Sequence, residues 1–228
     1  MLPPPSMPGY QVKHETVTVA GLDYTIRSLL DLRQNADPEG LSARLGLSAS
    51  SWALFGHVWP SARVLALEMS THALAGKRIL ELGAGLALAS LVMHRRLGDV
   101  TVSDWHPLCR PFLDENLRLN GLGPMTHHAG NWESENLDLG RFDLIVGSDI
   151  LYERQQPAQL AAFIVQHAAP TVEVIVVDPD RSNRSAFSKE MVRLGFDFTS
   201  HPAQRFLESG EAYKGRFLNF DRTGPFLP

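Results

Sequence analysis

The stretch Arg78-Ile79-Leu80-Glu81-Leu82-Gly83-Ala84-Gly85 decides the reading of the fold. A short apolar run carrying one carboxylate near its end passes into two glycines, and Leu86 to Leu97 then reads as an apolar helix. Where a strand hands over to a helix through glycines, a ligand can approach the backbone closely, so a nucleotide-like ligand is the first expectation. The third glycine of the dinucleotide fingerprint would fall at Leu88, so the pattern departs from G-x-G-x-x-G. The next strand, Val100-Thr101-Val102-Ser103-Asp104, ends in a carboxylate able to accept two hydrogen bonds from ribose hydroxyls. Glu81 discriminates between ligands, because a carboxylate in an apolar strand is costly to bury unpaired. Its partner is either the cationic amino-acid portion of a ligand, directly or through water, or a nearby arginine or backbone amide.

Upstream, Ser61 to Leu74 reads as a helix stopped by Gly76. Earlier still, Val17-Thr18-Val19 and Tyr24-Thr25-Ile26, separated by Ala20 to Asp23, read as a β-hairpin behind a loose tail containing Pro3 to Pro8. Downstream, a helix is expected with Pro107 in its first turn and Gly121 after its last. Phe142 to Val146 and Val172 to Val177 read as strands, separated by a helix near Pro157 to His167. Strands alternating with helices imply an α/β fold, a parallel sheet covered on both faces. Phe196 to Phe198 and Arg216 to Phe220 have no long helix between them and read as an antiparallel pair. Residues 1–58 are thus a tail, hairpin and lead-in, and residues 59–228 the main domain.

The chain has 228 residues, 44% apolar and 20% charged, which suits one globular domain with a full core. No apolar run approaches a membrane span and the start lacks signal-peptide character, so a cytoplasmic protein without membrane contact is expected. Cys109 is the one cysteine and reads as a packing residue. A formal charge of −4 without a basic block argues against nucleic acid as partner. Nine histidines lack ligand spacing, and the adjacent His127 and His128 would face opposite sides of an extended segment, so no metal is expected. Hydrolase elbow and phosphate-loop motifs are missing.

An acidic residue followed by G-x-G, with a second acidic residue ending the next strand, resembles the class I S-adenosylmethionine-dependent methyltransferases. Gly56-His57-Val58-Trp59-Pro60, Asn131-Trp132 and Gly147-Ser148-Asp149-Ile150-Leu151-Tyr152 extend the likeness to the seven-strand protein-lysine methyltransferases and their D-x-x-Y element. The match runs from roughly Trp59 to Asp180. It implies a Rossmann-like seven-strand sheet, mostly parallel with an antiparallel last strand. It also implies S-adenosyl-L-methionine as cofactor and a protein lysine as acceptor. Carried over by position, Trp59 would contact the methionine portion and Gly83, Ala84 and Gly85 the underside of the cofactor, with Glu81 at its amino-acid end. Asp104 would hold ribose with Trp105 beside the adenosine, Trp132 would lie against adenine supported by Asn131, and Ser148 would touch the cofactor. Asp178-Pro179-Asp180-Arg181 is similar to a run in the lysine methyltransferases that act on the β subunit of electron transfer flavoprotein, except that Asp180 replaces glycine. Read without that likeness, the run is a loop with a helix cap at Asp180 or Ser182.

Methyl transfer from a sulfonium needs an uncharged nucleophile held in line with the methyl carbon. A lysine amine, with a reference pKa of about 10.4, must first lose its proton, and desolvation beside a cation promotes that loss. Asp149 is expected to orient the amine and Tyr152 to shape its channel. A carboxylate also favours the ammonium, so Asp149 suits capture of the substrate more than its deprotonation. A small-molecule N-methyltransferase shares every cofactor feature. A nicotinamide oxidoreductase lacks support from the missing glycine, and a non-catalytic cofactor-binding module would survive loss of Asp149. A monomer is the expected state.

Overall fold

The structure is a computed structural model that describes residues 10–34, 40, 52–130, 132, 137–153, 156–204, 210 and 212–224. Strands β1 (Val12–Val19) and β2 (Leu22–Leu29) form the hairpin. Its turn is two residues, Ala20 at φ 50° and Gly21 at φ 79°, shorter than the four expected. Two consecutive positive φ values give a turn whose twist matches the strands, so pairing runs without a gap to Val19 opposite Leu22.

Helix α1 (Pro60–Met69) begins with proline at its first position and ends short of the expected Leu74. Ser70 and Thr71 turn their hydroxyls back onto the carbonyls of Leu67 and Glu68, an alternative to continuing the helix. Then follow β3 (Arg78–Leu82), α2 (Leu88–Arg95), β4 (Asp99–Ser103), α3 (Cys109–Leu119), β5 (Thr126–His128) and β6 (Phe142–Ser148). The chain continues through α4 (Gln156–His167), β7 (Ala168–Asp178), α5 (Arg184–Arg193), β8 (Asp197–Pro202) and β9 (Arg216–Arg222). Pro107 lies in the turn before α3 instead of inside it. Helix α5 starts after Asn183 without a side-chain cap, which corrects the cap expected at Asp180 or Ser182.

The main sheet has seven strands in the order β5-β4-β3-β6-β7-β9-β8. Neighbours from β5 to β7 are parallel, while β9 runs antiparallel to both β7 and β8. This is the Rossmann-like sheet expected. Alternation along each strand sorts side chains into two cores. Ile79, Val146 and Ile175 join α1, α2 and α3 on one face. Leu80, Ile145 and Val176 join α4 and α5 on the other. Each such side chain, removed from water, contributes on the order of 2 kcal/mol.

The hairpin shares the first core through Val17, Tyr24 and Ile26, and is tied down by Asn116 on α3 and by Asn120, which caps that helix. Asn116 accepts from the Arg27 amide at 2.7 Å, and Asn120 both accepts from the Thr25 amide at 3.0 Å and donates to its carbonyl at 2.8 Å. These two amides take the place of a further strand along β2. Among the described residues no helix is long and apolar enough to cross a membrane.

Candidate active site

The parallel strands end together at one rim, where open α/β sheets receive ligands. A cavity of about 590 Å³ lies there, within the range of small-molecule sites. Its lining includes Trp59, Gly83, Ala84, Gly85, Asp104, Trp105, Trp132, Ser148, Asp149 and Tyr152. Asn131 lies outside the described residues. Glu81 does not line the cavity: it is 2% exposed, and the Ser90 amide, 2.8 Å away, and the Ser90 hydroxyl both donate to its Oε2. The backbone-amide partner weighed in the sequence is therefore the one observed. Burial pushes the Glu81 carboxyl up to about 7 against the pull of those two bonds.

The glycine turn follows from local sterics. Gly83 and Gly85 have φ of 57° and 54°, the left-handed region that costs glycine nothing. A Cβ on Gly83 would come 2.7 Å from the Ile150 side chain, and one on Gly85 would come 2.9 Å from the Phe55 carbonyl oxygen. Asp104 fixes the far side of the turn, accepting from the Gly85 amide at 2.9 Å and the His106 amide at 2.8 Å. An ionised carboxylate has about four acceptor sites, so these bonds leave room for hydroxyls of a ligand. Trp59 caps α1, and its indole N–H donates to the Leu54 carbonyl at 2.8 Å, which fixes the ring. Cys109 is buried, and burial followed by the Asp104 charge pushes its thiol well up, so it is an unreactive packing residue.

At the other end of the cavity, Asp149 leaves β6 with φ 56°. Aspartate tolerates this region better than most side chains, and its amide is satisfied by the Val177 carbonyl at 2.9 Å. The Asp149 carboxylate accepts from Arg181 Nε. Asn183 donates to the carbonyls of Leu151 at 3.0 Å and Glu153 at 2.9 Å, and the Gln156 side chain accepts from the Glu153 amide at 2.8 Å. The loop after β7 thus braces the loop after β6. Although Tyr152 is 40% exposed, desolvation of its phenol pushes it up to about 12, so its hydroxyl stays a donor. Asp180 has φ 67°, in the left-handed region that favours glycine and that aspartate tolerates better than most side chains.

Arg181, which the sequence offers only as part of a loop motif, also lines the cavity. Phe55 and His106, whose rings stack at 4.0 Å on the cavity wall, are not singled out by the sequence. A cation following a strand end in an α/β sheet was the available signal for Arg181. Among the described residues no group of three or more His, Cys, Asp or Glu is arranged to hold a metal.

A family model described as lysine methyltransferase matches residues 47–193. The protein N-lysine methyltransferase METTL21A of Danio rerio is 39% identical over 126 residues, 51% of this chain and 54% of that protein. The histone-arginine methyltransferase METTL23 of Xenopus laevis is 32% identical over 123 residues, 51% of this chain and 49% of that protein. The chain thus spans about half the length of these curated relatives. Among solved structures, the 16S rRNA N2 G1207 methyltransferase of T. Thermophilus superposes with a TM-score of 0.63 at 17% identity, over 96% of this chain and 52% of that one, a likeness of fold.

Proposed function

Because the chain belongs to the lysine methyltransferase family, we propose that it transfers a methyl group from S-adenosylmethionine to a lysine side chain of a protein. The observation that carries this reading is that one cavity is lined both by the left-handed glycine turn with Asp104 and by Asp149 with Tyr152. Cofactor fit is supported by the left-handed turn that glycine holds at 83 and 85, where a Cβ would meet Ile150 or the Phe55 carbonyl, and by Trp59, Trp105 and Trp132 lining the same cavity.

When bound, the cofactor supplies a methyl carbon made electrophilic by its sulfonium. Gly83, Ala84 and Gly85 would underlie it, Asp104 would take its ribose hydroxyls, and Trp59 and Trp132 would offer flat apolar faces to its two ends. Glu81 acts from behind the turn, holding the first turn of α2 through Ser90. Asp149 and Tyr152 orient the entering amine by accepting from its N–H groups, which leaves its lone pair free to face the methyl carbon, and the ammonium gives its proton to solvent on the way in. Positioning of this kind supplies most of the rate in a simple displacement.

The test is incubation of the purified protein with labelled S-adenosylmethionine and a cell extract, followed by mapping of the modified residue. Methyl-lysine in a protein is expected. Label in a small metabolite with unlabelled protein overturns the protein substrate, and methylarginine, the product suggested by the METTL23 relative, moves the acceptor. Asp149→Asn, which keeps a side chain at ease in the left-handed region, should lower the rate at least 100-fold, on the order of one lost orienting group. Calorimetry should show its cofactor affinity unchanged within about twofold; equal loss of both would instead mark Asp149 as structural.

A further inference from the structure

We propose that Arg181 is a positioning residue for the acceptor: its guanidinium holds and neutralises the Asp149 carboxylate, so that the site receives the lysine amine uncharged. The inference rests on the lysine reading above. An unpaired carboxylate at the acceptor end attracts an ammonium, and an ammonium has no lone pair with which to attack. A carboxylate paired with a fixed guanidinium still accepts a hydrogen bond from an amine N–H, but no longer favours a further positive charge. Guanidinium suits the task because it stays charged across the working range.

Arg181 is built to stay where it is. Its own amide donates to Asp178 Oδ1 at 2.7 Å while its Nε donates to Asp149, so backbone and side chain are anchored to two carboxylates at once. Two residues on, Asn183 fastens the same loop to the D-x-x-Y segment. Among the described residues that line the cavity, Arg181 is the one lysine or arginine, set against the carboxylates of Asp104, Asp149 and Glu153. Among the described residues, the elements around Asp149 present groups of known kind. The end of β7 brings Asp178, whose carboxyl burial pushes up, and the segment before β9 brings Tyr213, held neutral by burial and bonded to the Ser61 hydroxyl at 2.7 Å. Its own loop brings Tyr152 and Glu153, and the nearby cation Arg184 is engaged by Asp180.

The test compares wild type, Arg181→Met and Arg181→Lys in label transfer from S-adenosylmethionine to lysines of one extract protein preparation, from about pH 6.5 to about pH 10. S-adenosylhomocysteine affinity is measured alongside by calorimetry. For Arg181→Met the acid limb of the rate profile should move up by about one pH unit, giving roughly tenfold slower transfer at pH 7 and near wild-type transfer at the alkaline end. The acceptor concentration for half-maximal rate should not rise, nucleoside affinity should hold within about twofold, and Arg181→Lys should restore most of the profile. An equal loss at every pH, or a faster variant at pH 7, overturns the proposal: the first marks a structural arginine, the second one that blocks the amine. Wild type that labels no lysine brings down the lysine reading and this inference together, whereas lysine labelling with an unmoved profile in Arg181→Met brings down the inference alone.

Discussion

Burial lifts Glu81 to about 7 from an ordinary value of 4.5, so the folded chain holds a proton there that the unfolded chain has released. A raised pKa contributes stability that is fully present below about pH 4.5 and lost as pH rises through about 7. The loss amounts to about 3 kcal/mol. In Glu81→Gln that loss is removed, so urea unfolding at about pH 5 and pH 8 should show the variant gaining on wild type as pH rises; a constant difference would contradict the assignment. At Gly85, alanine would carry a side chain at φ 54° against the Phe55 carbonyl. Gly85→Ala should therefore cost roughly 2–3 kcal/mol in thermal unfolding, and weaken cofactor binding by deforming the turn.

The hairpin is where an element depends on partners remote in sequence. Asn116 is fully buried, and removing its side chain in Asn116→Ala leaves the Arg27 amide without its acceptor. A loss of about 1–3 kcal/mol is expected, with hydrogen exchange at Arg27 accelerated more than at the centre of β3. Uniform acceleration would mean that the hairpin does not loosen separately. The same elements show what the residues disclose before folding. Strand, glycine turn and helix at 78–97 are legible because their signals are local: apolar runs, two glycines, a carboxylate at the following strand end. The hairpin was legible as a hairpin, but its attachment was not, since Asn116 and Asn120 reach it across 89 and 95 residues. Arg181 and Asp149 were both noted, in separate motifs 32 residues apart, and only the convergence of β6 and β7 joins them. Glu81 shows the converse, a carboxylate whose sequence context fits a ligand and whose geometry gives it to Ser90. Helix α5, with a weakly apolar face and no capping side chain, carried little signal.

Across the whole molecule the acid limit is set partly on β7. Glu173 takes His72 and Lys77 at 3.0 Å each, and hydrogen bonding from His72 first among causes holds it down at about 2. This depressed value contributes stability above about pH 4.5 that is lost as pH falls through about 2. Discounted for partial exposure, the contribution is about 2 kcal/mol, so Glu173→Gln should raise the midpoint of acid unfolding followed by circular dichroism. An unmoved midpoint would show that other carboxylates set the limit. The antiparallel strand has a different consequence, one of timing. During synthesis β7 and β8 leave the ribosome before β9, yet β9 lies between them in the sheet. Until it arrives, β8 has no seat and β7 stands as an open edge whose main-chain groups opposite Arg216 to Arg222 are unpaired. A nascent chain halted ahead of Arg216 would therefore display a sticky strand, and a chaperone that shields open strand edges would have its busiest moment just before β9 is made.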